Sequence, residues 1–176
     1  SYIRRPTLDP LEGKDGILVF EEEEKKIEVN KQSLADYSPY FDRLFFGSYM
    51  EKTMTEIPIG GIKYTEFYNI MQLLYGSDKA HFHCKNARRM LELADRLLLE
   101  ILKDRAVSLL LSPSSAVIPM PKKLLIADQY FLPFLMDGLI SQLKSVDQLK
   151  ELSESSEWLE FSPNTHRLLF QKFCTY

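Results

Sequence analysis

The sequence predicts an α+β fold: a small sheet flanked by helices, followed by an all-helical extension. Three observations lead there. Short runs rich in Ile, Val and Phe lie near the start, at Ile17–Phe20 and Lys26–Val29, with a further strand-like "EIPI" at 56–59. From about residue 64 onward the apolar residues recur at helical spacing instead. Finally, "LELADRLLLEIL" (91–102) and "LLIADQYFLPFL" (124–135) align at an offset of 33 residues, which makes the later part of the chain a duplicated helical hairpin.

The 176 residues are enough for one domain and a smaller appendage. A hydrophobic fraction of 45% and a charged fraction of 27% are ordinary for a folded soluble domain. With 22 basic and 25 acidic residues the net charge is −3, which gives no electrostatic footprint for nucleic acid. Apolar runs such as Leu97–Leu99 and Leu109–Leu111 are far too short to span a bilayer. Two distant cysteines, Cys84 and Cys174, form no disulfide framework, no glycosylation sequon occurs, and the opening residues do not read as a signal peptide. An intracellular setting, cytoplasmic or nuclear, is expected. The first residue is Ser1, so the chain reads as part of a longer protein whose upstream segments are not visible.

Taken in order, residues 1–14 carry Pro6, Pro10 and Gly13 without any period and read as a linker. "DGILVFEEEEKKIEVN" reads as a β-hairpin with the acidic Glu21–Glu24 as a solvated turn. In "NKQSLADYSPYFDRLFF", Leu34, Tyr37, Phe41, Leu44 and Phe45 keep helical spacing, and Ser38-Pro39 splits the segment into two helices, because serine caps and proline suits the first helical position. Gly47 ends the second. Pro58 places the "EIPI" strand at an edge or an early position. "KYTEFYNIMQLLYG" is an amphipathic helix with Phe67, Ile70, Met71 and Leu74 on one face and Gly76 as its stop.

The duplication then governs the reading. Ala94-Asp95 falls on Ala127-Asp128, and Glu100 on Pro133. Proline interrupts a helix interior, so one helix ends near Phe131 and the next begins near Pro133. The first copy should break in the same place, near Leu98–Leu99, although its own apolar stripe runs on uninterrupted. "SPSSAVIPMPKK" is a connection, and "SEWLEFSPNTHRLLFQKF" adds a further helix pair with Ser162-Pro163 as a start signal.

This order of elements, with "VNKQSLADYSPYFDRLFF", "EIPI…FYNIMQLLYG" and "LELADRLLLEIL", resembles the BTB (POZ) fold followed by the helical extension called the 3-box or BACK-type segment. The resemblance places a linker at 1–14, the BTB domain at 15–112, a connection at 113–121 and the extension at 122–176. Asn30, where many members carry histidine, is similar to the MATH–BTB adaptors of nematodes.

The resemblance implies a function for "FFGSYMEKTMTEIPI", a connecting segment with an unexpectedly apolar content. Cullin-3-binding members carry a φ-x-E motif after the second long helix, and the family's spacing places it on Tyr49, Met50 and Glu51. "MTE" at 54–56 fits the bare pattern but abuts the strand, which leaves Met54 as an accessory contact. An aromatic ring can fill a partner's pocket and dominate an interface, with the glutamate fixing register. The ordinary alternative is that Tyr49 folds onto the domain's own core, with Met50 and Met54 filling gaps. In such adaptors the 3-box completes a groove for the leading segment of cullin-3, and Leu143 and Val146 are candidates to line it.

What the resemblance implies is therefore a substrate-adaptor module of a cullin-3 ubiquitin ligase. The cullin-3 N-terminal domain would be its partner, and a substrate-reading domain would lie outside this chain. The alternative is a self-association module of a scaffold or transcriptional regulator; a bridge to cullin-1 predicts a different C-terminal helix arrangement. A homodimer is expected, although Pro6, Pro10 and Gly13 prevent the N-terminal helix on which many BTB dimers are built. No enzyme is expected, since no nucleophile elbow or phosphate-binding loop is present. Cofactors are not expected either. His81, His83 and Cys84, with distant His166 and Cys174, match no zinc-ligand spacing.

Overall fold

The computed structural model of the chain describes residues 13–47 and 54–176. Most of the expected linker, residues 1–12, lies outside them. The chain divides into two compact units, one comprising the described residues up to Phe82 together with Glu92–Lys103, the other comprising His83–Leu91 with Asp104–Tyr176.

The first unit is built on a three-stranded sheet of order β2-β1-β3 among the described residues. Strands β1 (Gly16–Phe20) and β2 (Lys25–Val29) form the expected antiparallel hairpin, with Gly16 opposite Val29 and Phe20 opposite Lys25. The short β3 (Glu56–Pro58) joins β1 in parallel, Pro58 standing opposite Val19 at the outer side. That is where a residue without an amide proton costs no ladder bond. The acidic link between β1 and β2 is more than a solvated turn. Glu21–Glu23 form one 3₁₀ turn, Glu24 takes a left-handed φ of 53°, and the Glu23 carboxylate accepts from the Tyr64 amide at 3.1 Å. Tyr64 opens the helix at Tyr64–Leu74, whose first amides lack intrahelical partners, so an acidic side chain is favoured there.

Helices α1 (Lys31–Tyr37) and α2 (Pro39–Phe46) divide at Ser38, as the Ser-Pro pair requires. The Ser38 hydroxyl accepts from the Phe41 amide at 3.2 Å and donates to the Leu97 carbonyl, while Ser38 itself is fully buried. One serine thus caps α2 and anchors it to Leu97. Phe20, Phe41, Phe45 and Phe67 make the heart of this unit; Phe41 stacks on Phe45 at 5.5 Å and meets Phe67 edge-on at 5.9 Å. Such ring pairs add roughly 0.5–1.5 kcal/mol each beyond area burial. Helix α3 (Tyr64–Leu74) turns Phe67, Ile70, Met71 and Leu74 into this core. Before it, Gly61 holds a left-handed φ of +67°, where a Cβ is strained, and the Arg96 guanidinium, which donates to the Gly60 carbonyl, lies where that Cβ would stand.

Helices α4 (Ala87–Leu97) and α5 (Glu100–Leu111) are separated at Leu98–Leu99, and α6 (Met120–Gln129) and α7 (Pro133–Gln142) at Tyr130–Leu132. The break expected in the first copy is therefore present. Within the second unit, Gly138 of α7 lies so close to Leu111 that an added Cβ would sit 2.6 Å from a Leu111 methyl. The connection contains a 3₁₀ turn at Pro113–Val117, and α6 begins at Met120, inside the expected 113–121 span. Ser115, buried, donates to the Leu110 carbonyl at 2.7 Å and receives the buried Lys123 ammonium at 3.1 Å. Burial pushes the Lys123 pKa below that of an ordinary lysine, against an opposing effect from Cys84.

The tail differs from expectation. Helix α8 (Val146–Ser153) and α9 (Pro163–Phe173) are regular, but "SEWLE" forms only a 3₁₀ turn at Ser156–Glu160. Its Leu159 is 89% exposed, so the segment has no continuous apolar face to bury as a full helix.

Candidate functional site

Tyr49, Met50 and Glu51 lie outside the described residues. Met54, at their C-terminal side, is 40% exposed, and its carbonyl accepts from the Lys31 ammonium at 3.3 Å just before β3. Of the two residues expected in the C-terminal helices, Leu143 is 3% exposed and turned into the interior, with its carbonyl accepting from the Tyr176 hydroxyl at 2.7 Å. Val146, three residues later at the start of α8, is 41% exposed.

Val146 opens onto an apolar groove of about 600 Å³ within the second unit. Leu149 joins it from α8, Trp158 from the 3₁₀ turn, and Leu169, Phe170 and Phe173 from α9. Phe170 is 66% and Phe173 49% exposed, although both belong to the helix's apolar stripe. Exposed aromatic residues gathered on one concave surface differ from the isolated surface apolar residues that need no explanation. Lys150 and His166 supply the charged or ionisable groups of the lining.

The groove wall is held by a polar cluster behind it. Asp128, near the end of α6, accepts from the Ser162 amide at 2.7 Å, the Ser162 hydroxyl at 2.6 Å and the Thr165 hydroxyl at 2.8 Å. Ser162 in turn caps α9 by accepting from the Thr165 amide at 3.3 Å. Burial alone would push the Asp128 carboxyl up. The donors from Ser162 and Thr165, with the nearby His166, outweigh it and hold the group below its ordinary value. His166 continues the chain of contacts: its Nε2–H donates to the Trp158 carbonyl at 3.0 Å, and its ring meets the indole edge-on with centroids 4.6 Å apart.

Across the 3₁₀ turn lies a more polar cleft of about 460 Å³, with Lys85, Arg88 and Lys122 facing Glu157 and Glu160. Arg88 is engaged by the Gln129 side chain at 2.7 Å. His83 and Cys84 serve local structure: His83 Nδ1 accepts from the Lys85 amide at 3.2 Å, and the Cys84 thiol reaches the Ser114 carbonyl at 3.5 Å. Among the described residues no group of three or more His, Cys, Asp or Glu could hold a metal, and no helix is long and apolar enough to cross a membrane.

The sequence reading missed Trp158, His166, Phe170 and Phe173 as surface residues. A signal was there. Positions 166, 169, 170 and 173 follow the i, i+3, i+4, i+7 spacing of a helix face, and that face is broader than the buried pair Thr165 and Leu169 requires.

A small mixed sheet capped by paired helices, continued by a duplicated helical hairpin and an open apolar groove, defines a protein-interaction module. The BTB/POZ domain family matches residues 9–114, more than half of the chain, and the chain belongs to that family. It is similar to BTB and MATH domain-containing protein 38 of Caenorhabditis elegans, 30% identical over 148 residues that cover 84% of this chain and 38% of the relative. BTB and MATH domain-containing protein 36 of the same organism is 28% identical over 159 residues, covering 90% of this chain and 48% of that protein. The chain thus spans less than half the length of these relatives.

Proposed function

We propose that this chain is the cullin-3-binding module of a substrate adaptor in a ubiquitin ligase. It engages the cullin-3 N-terminal domain through Tyr49, Met50 and Glu51, with Met54 beside them, and receives the cullin's leading segment in the groove opened by Val146. It works by bringing proteins together rather than by chemistry of its own, in the cytoplasm, the nucleus or both. Substrate is read by a domain outside this chain, and the module pairs with a second copy. The observation that carries this reading is the apolar groove in the helices that follow a BTB domain, with Val146 on its lip and aromatic residues left uncovered. An interface needs such a desolvatable centre, whereas charged rims chiefly tune encounter and register.

The test is a pull-down of the cullin-3 N-terminal region by wild type, Tyr49→Ala and Glu51→Lys. Binding by wild type that both substitutions weaken is the expected result. Equal retention in both variants removes the motif from the reading. No binding by wild type leaves the self-association scaffold as the function.

A further inference from the structure

We propose that Asp128 is the positioning residue of the groove, fixing the start of α9 so that His166, Leu169, Phe170 and Phe173 form the wall opposite α8. This rests on the reading that the groove receives the leading segment of cullin-3. Capping and mooring are divided at Ser162. Helix α9 already has its own cap, because the Ser162 hydroxyl accepts from the Thr165 amide at 3.3 Å. The carboxylate of Asp128 adds nothing to that intrahelical cap. It takes three other protons, from the Ser162 amide and from both hydroxyls, at 2.6–2.8 Å. Those bonds join α6 to the first turn of α9, and hydrogen bonds to an ionised acceptor are the strong class.

The consequence reaches the groove one residue later. His166 follows Thr165 directly, donates to the Trp158 carbonyl at 3.0 Å and packs its ring on the indole at 4.6 Å. Asp128, Thr165, His166 and Trp158 are thus successive supports of one wall. Removing the carboxylate leaves α9 helical and capped but no longer moored to α6. Asparagine retains the single oxygen that both hydroxyls share and gives up the acceptor for the Ser162 amide, so it restores part of the mooring.

Trp158 is the single tryptophan of the chain, which makes its fluorescence a reporter on the wall. The experiment compares wild type, Asp128→Ala and Asp128→Asn in the full chain. Two readouts are taken: acrylamide quenching of Trp158, and affinity for the cullin-3 N-terminal domain with and without its leading segment. Quenching should increase in the order wild type, asparagine, alanine. The affinity contributed by the leading segment should fall about tenfold in the alanine variant and less in the asparagine variant, in keeping with a site that loses its support rather than a contact. Affinity for the domain lacking the segment should not change. If alanine preserves the segment's full contribution and the quenching of wild type, Asp128 does not position the groove. If wild type gains nothing from the segment while quenching still follows the stated order, the positioning role stands and it is the cullin assignment of the groove that fails. Should the alanine variant unfold, the asparagine variant alone decides by the same two readouts.

Discussion

Leu98 and Phe131 occupy the same place in the two helical hairpins and share a backbone conformation, with left-handed φ values of 50° and 53°. Each is followed by the same closing bond: the Leu99 amide donates to the Ala94 carbonyl at 2.9 Å, and the Leu132 amide to the Ala127 carbonyl at 2.9 Å. This is the Schellman arrangement that ends a helix, usually with glycine at the left-handed position because a Cβ is strained there.

Phe131→Gly should therefore stabilise the protein by ~0.5–1 kcal/mol, the relief of left-handed strain less the chain entropy of glycine. Phe131 is 88% exposed, so little packing is lost with the ring. Leu98 is 40% exposed, and Leu98→Gly should gain less. Urea denaturation of both variants checks the order; a loss above ~1 kcal/mol for Phe131→Gly would show that its ring is used within the fold.

Asp128→Asn should destabilise the protein by ~1–3 kcal/mol at neutral pH, since it removes charged hydrogen bonds at a partly buried site. Because the folded carboxyl is held below its ordinary value, its contribution is complete above that ordinary value. It is lost as pH falls through the depressed folded value. Denaturation curves of wild type and variant should therefore converge below about pH 4, the region of an ordinary aspartate. A gap that stays constant across that range would contradict the assignment.

Lys123→Met is expected to leave stability at neutral pH unchanged or raise it by ~1 kcal/mol, since an apolar side chain of similar length avoids burying an ammonium. The pH dependence has a definite sign. With the folded pKa depressed below 10.5, the unfolded chain holds the proton more tightly, so wild-type stability rises with pH between the folded value and 10.5. The variant should lack this rise, and denaturation midpoints at neutral and alkaline pH measure it.

The parts of this architecture that local chemistry dictates were legible in the sequence. Ser38-Pro39 marked a helix boundary because capping and proline geometry act within three residues, and the 33-residue duplication transferred the visible break at Pro133 to the unmarked one at Leu98. The links that tertiary packing decides were hidden. Nothing near Glu23 signals that its carboxylate meets the Tyr64 amide, and the Asp128–Ser162 mooring joins residues 34 apart. The groove was half visible. Leu143 and Val146 have equal claims as apolar residues near a helix junction, and only the turn between α7 and α8 sends one inward and the other to the surface.

The most direct test of the cullin-3 reading is calorimetric titration of the cullin-3 N-terminal region, leading segment included, into wild type, Tyr49→Ala and Val146→Lys. Saturable binding by wild type is expected, weakened about 5- to 150-fold by Tyr49→Ala, which corresponds to ~1–3 kcal/mol at an interface centre. Val146→Lys should weaken it by a smaller factor, and only when the leading segment is present. Wild type that gives no heat of binding, or three proteins that bind alike, would contradict the reading.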